Sequence, residues 1–122
     1  SAVARLVAEM KVELVVVYSQ SGATARVFSK HRLPVPIIAL SSDHKSLRQM
    51  ALHFGVVPLE MPPPTSMDEL IESVDQLLRA HKLVQPGQRI VVAAGASLGT
   101  PGTRNAIVIH TIGTGPTTEF SI

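Results

Sequence analysis

VELVVVYSQSGATARVFSK, residues 12–30, decides how the chain folds: a strand runs into a small polar loop and then into a helix. Three consecutive valines, Val15, Val16 and Val17, suit a strand covered on both faces, and such strands belong to parallel sheets. The loop Ser19-Gln20-Ser21-Gly22-Ala23-Thr24 offers three hydroxyls and a glycine that lets backbone N–H groups approach closely. The helix behind it directs its positive end at the same place, so a phosphate fits there. The same residues also fit an N-capping turn, with Ser19 or Ser21 satisfying orphan N–H groups.

Outward from this stretch, the N-terminal residues 1–11 predict a helix, because Val3, Leu6, Val7 and Met10 share one face. It begins without a Met or a cap, which reads as a chain cut from something longer or a tag scar. Beyond the loop, Ala23, Val27 and Phe28 give the next helix its core face. Lys30, His31 and Arg32 complement the negative end of that helix. Pro34 stops it, and Pro36-Ile37-Ile38-Ala39-Leu40 is a short buried strand.

Ser41, Ser42 and Asp43 then cap a helix carrying Leu47, Met50, Ala51 and Phe54, closed by Gly55. The strand from Val56 to Glu60 contains Pro58, which places it at a sheet edge. After Pro62 to Pro64, Ser66 and Glu69 form a capping-box pattern. The helix they open presents Met67, Leu70, Ile71, Val74, Leu77 and Leu78 to the core.

Gln85-Pro86-Gly87-Gln88 turns the chain into a strand over residues 89–95. A second loop rich in Gly, Ser and Thr, GASLGTPGTRN, leads to a final strand over residues 105–113. This loop is too short for a crossover helix, so the last strand returns antiparallel. Strand–helix alternation predicts right-handed crossovers and a three-layer α/β/α sandwich. If the chain reverses across the sheet between the first and fourth strands, both polar loops meet at neighbouring carboxyl ends, where open α/β sheets bind ligands. Residues 1–113 form the domain on this reading, and 114–122 a flexible tail.

Composition narrows the function. A chain of 122 residues makes one domain, and with 45% apolar residues, one Tyr and no Trp its core is aliphatic. The absence of cysteine removes disulfides and thiolate metal sites and leans towards a reducing compartment. No export signal and no apolar run of about 18 residues is present, which indicates no membrane partner. A net charge of +2 on scattered Lys and Arg, with few aromatics, gives no footprint for nucleic acid. GASLGTPG lacks the Lys-Ser or Lys-Thr of a Walker A loop. His44 and His53, nine residues apart on one predicted helix, lie about 180° apart round its axis and cannot share a metal. His31, His81 and His110 have no carboxylate or second His at ligand spacing, and His110 fits a subunit interface. No Asp or Glu follows a strand end as a general base or magnesium ligand would, so no catalytic residue is assigned.

Five pieces in order, SQSGATA, PVPIIAL, RQMALHFGVVPL, LVQPGQRIVVAAGASLGTPGTRN and IHTIG, together resemble the C-terminal domain of pyruvate kinase across residues 2–113. The resemblance implies a mixed five-stranded sheet in the order 3-2-1-4-5 with the last strand antiparallel. It further implies a cytoplasmic, homotetrameric glycolytic parent that transfers phosphate from phosphoenolpyruvate to ADP using Mg2+ and K+. In that family this domain is regulatory and non-catalytic: it contacts the catalytic barrel, binds a phosphorylated effector and pairs with its counterpart across a two-fold.

By resemblance the effector site falls on Ser19, Gln20, Ser21, Gly22, Ala23 and Thr24, closed by a loop carrying Ser97, Gly99, Gly102, Thr103 and Arg104. Relatives regulated by fructose bisphosphate have a Lys where Gln20 stands, and an Arg or Lys in the next strand or loop. Here Arg104 alone stands near the second loop, which speaks against a bisphosphate and leaves a sugar monophosphate, a nucleotide monophosphate or no effector at all. Two alternatives stay open. SQSGAT is also similar to the loop of sugar-isomerase-type phosphosugar-binding domains, which would have all strands parallel. A purely structural module, pairing through an open edge at Ile107, Val108 and Ile109, is the other.

Overall fold

A computed structural model of the chain describes residues 2–19, 33–53, 55–95, 105–114 and 118–121. Helix α1 (Ala2–Met10) precedes β1 (Leu14–Tyr18) and β2 (Ile37–Ser41). Next come α2 (His44–Met50), β3 (Val56–Glu60), α3 (Met67–Ala80), β4 (Arg89–Gly95), β5 (Asn105–Thr111) and β6 (Thr118–Ser121). The helix expected on Ala23, Val27 and Phe28 lies outside the described residues.

The strands form one sheet in the order β3-β2-β1-β4-β5-β6. β1 pairs in parallel with β2 and β4, β2 with β3 likewise, and β4 with β5 antiparallel. The expected order 3-2-1-4-5 with an antiparallel fifth strand is therefore the order found. A sixth strand extends it. Residues 118–121, read from the sequence as part of a loose tail, pair antiparallel with β5 from Ala106↔Ser121 to Ile109↔Thr118. This also corrects the expectation of an open edge at Ile107 to Ile109, because β6 takes up that side of β5.

The valine run works as its composition dictates. Successive residues of a strand point to opposite faces, so Val15 and Val17 join a cluster with Val7, Met50 and Ile107, on the side of α1 and α2. Leu14, Val16 and Tyr18 join the other, with Leu70, Val74 and Leu78 of α3. All five β1 residues are buried, and each fully buried valine contributes about 2 kcal/mol through removal of its apolar surface from water. Pro58 lies in β3, the edge strand, as its missing N–H requires.

α2 stops at Met50, short of the expected Gly55. The chain turns through residues 51–53 instead, and Gly55, with φ +70°, serves the entry to β3, whose Val56 N–H donates to the His53 carbonyl. His53 therefore lies outside the helix that carries His44. The cap of α2 is Asp43, whose side chain accepts from the Ser46 N–H at 3.1 Å. Contacts from the Ser46 hydroxyl and N–H hold this carboxyl below the usual aspartate range.

At α3 the capping box is half made. Ser66 Oγ accepts from the Glu69 N–H at 3.1 Å, while the Glu69 carboxylate accepts from the Thr65 hydroxyl. Ser66→Ala is expected to lower stability by about 1 kcal/mol, the usual cost of a lost cap. Thermal unfolding with Thr65→Ala as a comparison checks it.

Candidate functional site

Two regions qualify. The first is the carboxyl edge of the sheet. Tyr18 pairs with both Leu40 and Ala94, and the Ser19 N–H donates to the Leu40 carbonyl at 3.0 Å, carrying β1 one residue further. Gly95 lies opposite Asn105. The chain therefore runs outward from β1 through β2 to β3, then returns to the other flank of β1 as β4. The segments 20–32 and 96–104 depart from adjacent strand ends at this reversal, the kind of position where open α/β sheets hold ligands.

Of the residues expected there, Ser19 is described, and it is buried. Gln20, Ser21, Gly22, Ala23, Thr24, Ser97, Gly99, Gly102, Thr103 and Arg104 lie outside the described residues. Beside Ser19, the buried Tyr18 hydroxyl has no hydrogen-bond partner among the described residues.

The second region was not expected. At the other end of the sheet, His110 of β5 lies opposite Ile90 near the start of β4 and faces α3. Its Nε2 is 2.6 Å from Asp75 Oδ2, and the Gly113 N–H donates to the same oxygen at 3.0 Å. Arg79, one turn along α3, brings Nε to 2.7 Å from Asp75 Oδ1. That contact is a charge attraction more than a directed hydrogen bond, since Nε–H points to the Asp75 backbone carbonyl at 3.4 Å and Oδ1 has no directed donor among the described residues. Asp75 is 6% exposed and His110 2%, so the pair belongs to the core.

Burial pushes the Asp75 carboxyl upward, but the Gly113 N–H, the His110 hydrogen bond and the Arg79 charge outweigh it, and the group sits below the usual aspartate range. An ionised carboxylate only accepts, so His110 Nε2 carries the shared proton. Around this pair a cleft of about 480 Å³ opens, bounded by Asp68, Ile71, Glu72, Gln76, Arg79, Gly113 and Thr114.

His110, expected from the sequence to fit a subunit interface, is instead buried within this chain, and its carboxylate partner lies 35 residues away. The signal was present in two places. Asp75 interrupts the apolar stripe of α3, and His110 shares the inward parity of Val108; a polar group on a buried face demands a partner. The pair resembles two members of an acid–base relay, and the one hydroxyl among the described residues that lines the cleft, that of Thr114, donates to the Thr111 carbonyl at 2.7 Å.

Glu60, which ends β3, pairs with His44 at the surface. Among the described residues no three His, Asp or Glu side chains form a metal-binding group. No helix among them is long and apolar enough to cross a membrane.

The family model for the pyruvate kinase alpha/beta domain matches residues 1–110. The chain belongs to the pyruvate kinase α/β domain family. Pyruvate kinase from Lactococcus lactis subsp. lactis is 36% identical over 103 residues, covering 84% of this chain and 20% of that protein. The pyruvate kinase of Clostridium acetobutylicum is 37% identical over 106 residues, covering 86% and 22%. In structure, Cryptosporidium parvum pyruvate kinase in complex with ADP superposes with a TM-score of 0.79 at 21% identity, over 89% of this chain and 22% of that one. The chain spans about a fifth of the length of the pyruvate kinases it matches. The antiparallel β5 agrees with the pyruvate kinase domain and departs from the all-parallel sheet of the sugar-isomerase alternative.

Proposed function

We propose that this chain is the regulatory and assembly unit of a cytoplasmic pyruvate kinase. The parent transfers phosphate from phosphoenolpyruvate to ADP with Mg2+ and K+ held outside this domain, and joins subunits into a tetramer. A phosphorylated effector binds at Ser19 to Thr24 and is closed over by the loop bearing Ser97, Gly99, Gly102, Thr103 and Arg104.

The observation that carries this reading is the adjacency of the β1 and β4 carboxyl ends, Tyr18 beside Ala94. Two loops rich in hydroxyls and glycine leave from there, and backbone N–H groups with Ser and Thr hydroxyls are phosphate ligands. Gln20 brings no positive charge, so contacts are mostly uncharged on the protein side and one phosphate is the natural load.

Calorimetric titration against ribose 5-phosphate, glucose 6-phosphate, AMP and fructose 1,6-bisphosphate tests it. A monophosphate is expected to bind, and Ser21→Asp, which sets a carboxylate against the phosphate, is expected to weaken it at least about tenfold. No heat with any of the four, or indifference to Ser21→Asp, overturns the effector assignment.

A further inference from the structure

We propose that β6 is a removable guard on the edge of β5, and that a second copy of this chain, pairing β5 against β5, competes with it for that edge. The inference rests on the assembly half of the function proposed above and is separate from the effector site.

The two ends of the sheet are protected in different ways. A terminal strand with unpaired N–H and C=O groups invites a further strand. At β3 the protection is covalent, because Pro58 has no N–H to offer. At β5 it is a strand: residues 118–121 pair antiparallel with Ala106 to Ile109. β6 lies beyond residues 1–110, which match the family's domain, so this cover is an addition to the matched part.

The cover is also short. β4 faces β5 in seven pairs, from Arg89↔Thr111 to Gly95↔Asn105, whereas β6 makes four. Asn105, His110 and Thr111 of β5 fall outside the stretch that β6 covers. As the last strand of the sheet, β6 is also held from one side only. Such a segment opens at the low end of local stabilities, well before the five strands inside it.

The sequence of β5 names its competitor. Set antiparallel to a copy of itself about Val108, NAIVIHT faces Ile107 with Ile109, Ala106 with His110 and Asn105 with Thr111. Seven pairs then replace four. Opposite residues of an antiparallel pair share a face of the sheet. Ile107 and Ile109 already belong to one core cluster and Val108 to the other, so a two-fold through Val108 continues each face of one copy into the same face of the next. Because this pairing uses the β5 edge of both copies, it closes at two.

The test compares the chain with the double variant Glu119→Pro and Phe120→Pro, by sedimentation velocity and amide hydrogen exchange. Neighbouring residues of a strand direct their N–H groups to opposite sides, so one of the two prolines removes a donor to β5 in either ladder phase. The unaltered chain is expected to be a monomer at micromolar concentration, with amides of residues 106–109 protected. The double variant is expected to dimerise at least about tenfold more tightly. In that dimer, protection should extend over residues 105–111, while unchanged exchange in β1, β2 and β4 shows that the fold is kept.

The failures are distinguishable. If the unaltered chain already dimerises as tightly as the variant, β6 guards nothing, although assembly stands. A folded variant that stays monomeric, with the outward amides of β5 exchanging freely, overturns both the guard and assembly through this edge. Open-ended association of the variant overturns the two-fold register.

Discussion

Asp75→Asn is expected to destabilise the chain by about 3 kcal/mol, which for a domain of this size lowers the melting temperature by roughly 10 °C. The carboxylate receives Gly113 N–H and His110 Nε2 on Oδ2 and faces Arg79 on Oδ1. An asparagine that keeps its carbonyl at the Oδ2 position turns its NH2 towards the Arg79 Nε, donor against donor. The opposite rotamer sets it against Gly113 and His110, so no rotamer satisfies all three. Replacing both partners by apolar groups removes the conflict: Asp75→Leu with His110→Leu should be less damaging than the two single changes summed, with a coupling of about 1–2 kcal/mol.

The same group sets an acid dependence. Its pKa is lower folded than unfolded, so its stabilisation is fully present above the ordinary aspartate value and is lost as pH falls below it, through the folded pKa. In Asp75→Asn that part of the acid slope should be gone. Wild-type-like melting of Asp75→Asn at neutral pH would mean the buried pair does not hold α3 to β5.

The sequence made the frame legible because its signals are local. Val15 to Val17 announce a strand covered twice, Pro58 an edge, and Ser66 a helix start, and each depends on neighbours within a few residues. The antiparallel return of β5 followed from the length of the segment before it. α2 ends earlier than its stop signal predicts because Gly55 serves the turn into β3 after the helix has already ended. β6 leaves no local signal, since Thr118 to Ser121 is a strand of four residues with no apolar run, and its pairing with β5 is tertiary information.

The Asp75–His110 pair was hidden for the same reason, as 35 residues separate partners that meet only once α3 has packed on the sheet. The strand ends that flank the two polar loops lie where the sequence placed them, Tyr18 beside Ala94. That much follows from β1 and β4 being parallel neighbours.

Leu70→Ala is expected to cost about 3 kcal/mol, comparable to losing Asp75 but for an unrelated reason. Leu70 is fully buried, in a cluster with Val16, Leu40 and Val92 from three neighbouring strands. Among the described residues, α3 is the one helix on that face, so little else can move in to fill the cavity, and the cost combines lost transfer energy with an unrelaxed void. Leu47→Ala on α2 makes the control: Leu47 is only partly buried against the opposite cluster, which α1 also covers, and about 1 kcal/mol is expected there. Urea unfolding separates the cases. Both variants should lower the midpoint at unchanged slope, since neither alters the surface exposed on unfolding by much. If Leu47→Ala proved the costlier change, the account of α3 as the principal cover of its face would be wrong, and the face shared by α1 and α2 would have to be the one that limits stability.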